Sequence, residues 1–297
     1  MPDEMAHFAT VPARPRVFAL AAAALALVFI VPLWKLARFA AGNDLQSYIL
    51  LIPLVSFYLA WLQWEQLPRH SAPAKKTAAF FYAAGLGAVV WWFGGHHLPV
   101  AVLAFVLFLT GLGCQFLGGA TMRATAFSFG LLVFMIPLPD FLVNAIEAAL
   151  QHGSAEVADW MFTLAGTPLL RGGMNFQLPG MSIQVAPECS GIHSTLVLFI
   201  TSLVAGRMIL RSPWKRAVLA LAVIPLALLR NGFRVFVIGE LCVHVGPQMI
   251  DSPVHHHGGP LFFALSLVPF FLLLYFLKKS ELSGATGRAA DNKEKIK

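Results

Sequence analysis

Val185-Ala186-Pro187-Glu188-Cys189-Ser190-Gly191-Ile192-His193-Ser194 leads directly into the apolar run from Leu196 to Ala205. A proline ends whatever precedes it and an uninterrupted apolar run follows, so this stretch predicts the mouth of a membrane helix. A cysteine held there is placed to react. The unpaired N–H groups and partial positive charge of a helix N-terminus stabilise a thiolate over a thiol. A lone cysteine more often packs as a small hydrophobe; Cys189 gains its weight from its neighbours.

Working outward, apolar residues make up 58% of the chain and charged residues 12%, against about 45–50% and about 25% in soluble domains. At ~20 residues per helical crossing, the 297 residues are used up by about eight spans and their loops. The expected fold class is therefore all-α, a polytopic membrane protein with no separate soluble domain. The net charge of +7 does not indicate nucleic acid, because the basic residues flank apolar runs and form no soluble face with interleaved aromatics. Cys114, Cys189 and Cys242 have no metal-site spacing and form no disulfide framework.

Taken in order, the first span is Val17 to Trp34, too long for a signal-peptide core and followed by no polar cleavage segment. The second runs from Gln46 to Trp64, the third from Ala78 to Phe93 and the fourth from Leu98 to Leu117, with Gly94-Gly95-His96-His97 read as an interfacial turn. The fifth, Ala124 to Pro139, ends in two prolines. Phe141 to Ala165 keeps a helical apolar period but carries Asn144, Glu147, Gln151, Glu156 and Asp159, so it is expected to lie in the interface. Met174 to Leu178 and Met181 to Val185 alternate around Pro179-Gly180, predicting a β-hairpin that presents Cys189 at its exit.

The sixth span is Ile192 to Leu210 and the eighth Leu261 to Leu277. The seventh, Ala217 to Val245, would be ~43 Å long against a hydrocarbon core of ~30 Å. It must tilt, break near Gly232 or emerge above the membrane.

Two further polar intrusions interrupt apolar sequence: Arg230-Asn231-Gly232-Phe233-Arg234 and His255-His256-His257-Gly258-Gly259-Pro260. In order, Cys-Ser-Gly, Asn-x-x-Arg and His-x-x-x-Gly, each beside a span, resemble the signature of the exosortase/archaeosortase family of membrane cysteine transpeptidases. Ser47-Tyr48 to Pro53, Phe134 to Pro139 and Arg171 to Pro179 extend the resemblance. It implies one membrane-embedded domain over 1–297, with a core at 44–277, a polar N-terminus at 1–16 and a cytoplasmic basic tail at 278–297.

The resemblance also implies the roles: Cys189 as nucleophile, Arg234 as stabiliser of the oxyanion, and a histidine as general acid/base, with Asn231, Ser190 and Gly191 in the binding site. Counting four back from Gly259 selects His255; His256, His257 and His193, one turn after Cys189, compete with it. Arg230 is expected to be structural, paired with Glu240, Glu188 or helix carbonyls. Glu188, beside the thiol, would raise its pKa unless a cation neutralises it. No cofactor or metal is required. The implied partners are secreted proteins ending in a motif such as Pro-Glu-Pro, a transmembrane helix and a basic tail, together with membrane lipid and no nucleic acid.

With the N-terminus in the cytoplasm, sixteen of the 21 Lys and Arg residues fall inside, only Lys35, Arg38 and Arg171 fall outside, and Arg230 and Arg234 lie within the membrane. This asymmetry predicts a multi-pass protein of the cytoplasmic membrane, with both termini inside and Cys189 and the His255 cluster at the extracytoplasmic face. Two other classes compete. One is a transporter with Arg230 and Arg234 lining an anion path, though no inverted repeat is visible. The other is a metal- or haem-binding oxidoreductase built on His96, His97, His244 and His255 to His257.

Overall fold

Prolines set where the spans bend. A proline cannot donate to the helix ladder, and its ring clashes with the carbonyl four residues back. Pro32 is followed back to Val28, where α1 (Pro15–Val28) ends, and α2 (Ile30–Ala41) starts after a bend of 75°. Pro225 is followed back to Leu221, where α10 (Pro213–Leu221) gives way to α11 (Val223–His244). The two helices nonetheless form one span, Pro213–His244, with Ala222 still in the right-handed helical region. Gly232, where a break was one of three alternatives, lies inside continuous helix.

The computed structural model describes residues 14–68, 71–179, 181–185, 191–246, 248–249 and 258–294, with side chains through 283. Among these, six helical segments are long and apolar enough to cross a membrane, or up to eight if each of two bent pairs is one span. The protein is a mostly helical, polytopic membrane protein with one small sheet. Outward faces carry Phe57, Phe80, Val90, Trp91 and Leu265 in the open, surfaces that hydrocarbon satisfies and water does not.

The chain divides into two compact units, Met1–Pro139 and Asp140–Lys297. In the first, α1, α2, the 3₁₀ segment Asp44–Leu50, α3 (Ile52–Leu62), α4 (Lys75–Gly95), α5 (Leu98–Leu112), α6 (Gly119–Ala124) and α7 (Ala126–Leu131) follow in order. The His96-His97 pair forms the expected turn, with His96 in the left-handed region as the C-cap of α4.

The second unit holds α8 (Asp140–Ala165), β1 (Leu170–Gly172), β2 (Asn175–Leu178), β3 (Met181–Gln184), α9 (Ile192–Ile209), α10, α11 and α12 (Gly259–Glu294). The predicted hairpin is β2–β3, with Phe176 opposite Ile183 and Leu178 opposite Met181. A third strand, β1, pairs antiparallel with β2 and was not expected. Phe176, Leu178 and Ile183 bury one face of the sheet against Ala155, Ala158 and Phe162 of α8 and Val235 of α11.

Glycines let α8 and α11 approach and show that they run in the same direction. Gly153 faces Leu228, Gly232 faces Val157 and Ala158, and Gly239 faces Phe162. Arg171 ties the sheet to α8 through Glu156 (2.6 Å) and Asp159 (3.1 Å). These acceptors push the guanidinium's pKa up, the hydrogen bond to Glu156 foremost. At the opposite end of the unit, Glu281 of α12 accepts from the backbone N–H groups of Arg211 and Ser212, and Lys215 donates to the Leu277 carbonyl. Leu198, Leu219, Val223 and Phe270 form the core between α9, α10, α11 and α12.

Candidate active site

The site is built where α9 begins. Gly191 caps that helix in the left-handed region (φ 67°, ψ 20°), a conformation that glycine adopts without steric cost. Its carbonyl collects donors: Thr195 N–H (3.0 Å), Ser194 Oγ (2.9 Å), Thr195 Oγ1 (2.8 Å) and Arg230 Nη2 (3.2 Å). Arg230 Nη2 also reaches Thr195 Oγ1 at 3.4 Å. Four donors from three residues thus fix the carbonyl that follows the Cys-Ser pair in sequence.

Arg230 is 7% exposed and Asn231 3%. Both press against Gly191 so closely that a Cβ there would stand 2.6 Å from Arg230 Nη2 and 2.6 Å from Asn231 Oδ1. The Cys-Ser-Gly and Asn-x-x-Arg elements therefore meet through Gly191 and the Arg230–Asn231 pair. Among the described residues, Arg230 Nη1 is buried without a hydrogen-bond partner. A buried guanidinium donor of this kind costs free energy until an acceptor reaches it.

Arg234 lies one turn further along α11 on the same side as Arg230 and is half-buried. Phe233, between Asn231 and Arg234, stacks edge-on with Phe262 in the first turn of α12 at 6.1 Å. Phe262 N–H donates to the Gly258 carbonyl, so the residues that follow the histidine run start their helix beside the Asn-x-x-Arg element. Described parts of all three motifs thus come together around one stretch of α11.

The described residues on either side of 186–190, Val185 and Gly191, are each tied down. Val185 N–H donates to the Met174 carbonyl, and the Val185 carbonyl accepts from Gln151 Nε2 of α8 at 3.3 Å. On the far side stands Gly191 with its donors. Cys189, Ser190, Glu188 and His255, His256 and His257 themselves lie outside the described residues. His193 is exposed on the first turn of α9, and Cys114 and Cys242 are buried thiols.

Two expectations about pairing change. Glu240, one expected partner of a buried arginine, instead accepts from Thr167 Oγ1 and pairs with His244 at 3.0 Å. Arg230 does reach a backbone carbonyl, as expected, but that carbonyl belongs to Gly191, 39 residues away, and not to its own helix. Thr195, which joins the Gly191 carbonyl to Arg230, was missed by sequence reasoning. Its position four residues after Gly191 is the signal, since a hydroxyl there reaches back to the carbonyl one turn earlier. Among the described residues no three His, Cys, Asp or Glu side chains gather to hold a metal.

A sequence model of the family described as transmembrane exosortase (Exosortase_EpsH) matches residues 34–272. That range takes in all three motifs and every residue of the arrangement just described. Comparison with curated proteins and with solved structures gave no match.

Proposed function

Because this chain belongs to the transmembrane exosortase family, a class of membrane cysteine proteases and transpeptidases, we propose that it cleaves the C-terminal sorting signals of secreted proteins and transfers them to an acceptor through a thioester on Cys189. The observation that carries the reading is the packing of Gly191 onto Arg230 and Asn231, which joins the Cys-Ser-Gly and Asn-x-x-Arg elements in space.

In this reading the Cys189 thiolate attacks the scissile carbonyl carbon and the oxygen takes up the negative charge. Arg234 stabilises that oxyanion. Collapse of the tetrahedral species breaks the C–N bond, and the leaving amine takes a proton from a histidine, His255 by its spacing from Gly259, with His256, His257 and His193 as the other candidates. The acceptor nucleophile then attacks the thioester, losing its proton to the same histidine, and the C–S bond breaks to restore the thiolate. Arg230 holds the carbonyl of Gly191 and with it the start of α9. Ser190 and Asn231 complete the binding site.

The substrate is a protein ending in a short motif, a transmembrane helix and a basic tail. The charge distribution supports a multi-pass protein of the cytoplasmic membrane with both termini inside and the reaction at the extracytoplasmic face.

The test is co-expression with a reporter that carries such a tail. Wild-type protein converts the reporter to a shorter form. Cys189→Ala leaves it uncut at normal abundance, whereas Cys114→Ala and Cys242→Ala process it. Processing by Cys189→Ala would refute the assignment.

A further inference from the structure

Far along the chain from these motifs, in the first unit, a cavity of about 530 Å³ lies beside the start of α1 and is lined by Arg14, Ser71, Lys75, Tyr82, Gln115 and neighbouring apolar residues. Two cations and no acid line it. Tyr82 donates its hydroxyl to Gln115 Oε1 at 2.6 Å, which occupies the acceptor of that amide and leaves its N–H donors for an anion. The walls are firm: Arg14 N–H donates to the Phe116 carbonyl, Ala74 N–H to the Cys114 carbonyl and Gly119 N–H to the Ala72 carbonyl, each at 3.0–3.1 Å.

Apolar space lies alongside. Pro15, next to Arg14, lines a neighbouring groove of about 710 Å³ that continues past Phe18, Phe57, Trp61, Leu109 and Phe129. The wall formed by α3 and the turn just after it runs from Pro53 to Trp64, ~16 Å at helical rise and so about half of a ~30 Å hydrocarbon core. That is the reach of one leaflet. Trp61 and Trp64 stand exposed at the end nearest the cations, where tryptophan marks the membrane interface. Arg16 and Lys76 adjoin Pro15 and Lys75 in the chain, and Arg123 follows Thr121, a lining residue of a further, adjoining cavity, by two positions. Glu65 does not line the cation cavity; it lines that further one, which shares Pro15, Trp64, Leu67 and Leu117 with the apolar groove.

From this charge complementarity we infer that the first unit binds an anionic phospholipid, its phosphate between Arg14 and Lys75 and an acyl chain along the apolar groove beside α1. Basic pockets between membrane helices on the cytoplasmic side take such headgroups, and charge-assisted hydrogen bonds from Arg, Lys and an amide suit phosphate oxygens. The site does not depend on the transpeptidase reading.

The experiment is native mass spectrometry of the full-length protein in detergent, titrated with phosphatidylglycerol or with phosphatidylcholine of the same acyl chains. Phosphatidylglycerol is expected to bind in preference. At about five-fold per surface cation, the paired substitution Arg14→Gln with Lys75→Gln should weaken it by roughly thirty-fold. Arg123→Gln, which lines neither the cation cavity nor the groove, should weaken it by no more than the roughly five-fold of a single cation. Arg14→Lys with Lys75→Arg should keep binding, which guards against loss of fold as the cause. The inference is overturned if the paired Gln variant binds like wild type, if Arg123→Gln loses as much, or if millimolar inorganic phosphate displaces the lipid and so identifies a site for a soluble anion.

Discussion

Gly191→Ala tests the contact on which the site rests. The substitution acts twice. An L-residue in the left-handed region costs about 1–2 kcal/mol, and the new methyl would stand 2.6 Å from Arg230 Nη2 and Asn231 Oδ1 and 2.9 Å from Asn231 Nδ2. Both partners are buried and have little room to retreat, so Arg230 loses its bond to the Gly191 carbonyl. A hydrogen bond to a charged group is worth about 1.5–3 kcal/mol. The total is about 3–5 kcal/mol, a large part of a typical folding stability of about 5–15 kcal/mol. Gly173→Ala provides the control. Gly173 also has positive φ, 64°, but nothing lies within 4 Å of its Cβ position, so only the backbone strain of about 1–2 kcal/mol applies. The assay is thermal denaturation of detergent-solubilised protein followed by size-exclusion chromatography, with reporter processing measured in parallel. Gly191→Ala should melt well below Gly173→Ala. Any folded fraction should process at least ~10²-fold more slowly, the order expected from a ~1 Å displacement of a reacting group. Equal melting and normal processing would show that Gly191 does not pack on Arg230 and Asn231.

Three other outcomes follow from the same reasoning. Arg234→Ala should keep normal abundance while processing falls ~10²–10³-fold, the usual cost of one oxyanion donor; Arg230→Ala should instead lower abundance and melting temperature, and an inactive but fully stable Arg230→Ala would reverse the two roles. Arg171→Ala should remove about 1–2 kcal/mol by untying the sheet from α8, a modest figure because Glu156 is 70% exposed; limited proteolysis at 167–185 should quicken, and high salt should mimic part of the effect in the wild type. Reporter tags at residues 1 and 297 should read cytoplasmic and a tag between Thr167 and Pro179 extracytoplasmic, and an extracytoplasmic C-terminus would contradict the proposed topology.

Much of the fold was legible because hydrocarbon imposes its length on sequence. Ile192–Ile209 starts at the expected residue and ends within one of it, since an apolar run bounded by a motif and by basic residues has few other readings. The hairpin was legible from alternation around Pro179-Gly180, but β1 has three residues, too few to show a period. The 75° bend between α1 and α2 escaped notice because Pro32 lies inside an apolar run, where hydropathy outweighs it. A break near Gly232 was one of three readings of the long seventh span; the glycine instead lets α8 approach, and a close approach by residues about 75 positions away leaves no local mark.

The site was legible as three motifs but not as contacts. The spacing of Asn-x-x-Arg draws attention to Arg234, whereas the arginine hydrogen-bonded to Gly191 is Arg230. That Arg230 reaches a carbonyl 39 residues away is decided by tertiary packing. Glu240 was an equally reasonable ion-pair partner on sequence alone. Thr167, which precedes the sheet, occupies it instead.

The central claim is a covalent intermediate on Cys189, and the most direct measurement is to look for it. Purified full-length protein in lipid nanodiscs is mixed with a peptide that carries the sorting motif and its transmembrane segment, quenched in acid and digested, and the peptides around residue 189 are mapped by mass spectrometry. The account predicts the N-terminal substrate fragment attached to Cys189, released by hydroxylamine as a thioester would be, and absent from Cys189→Ala. Cleavage of the substrate by Cys189→Ala, or an adduct on any other residue, would contradict it.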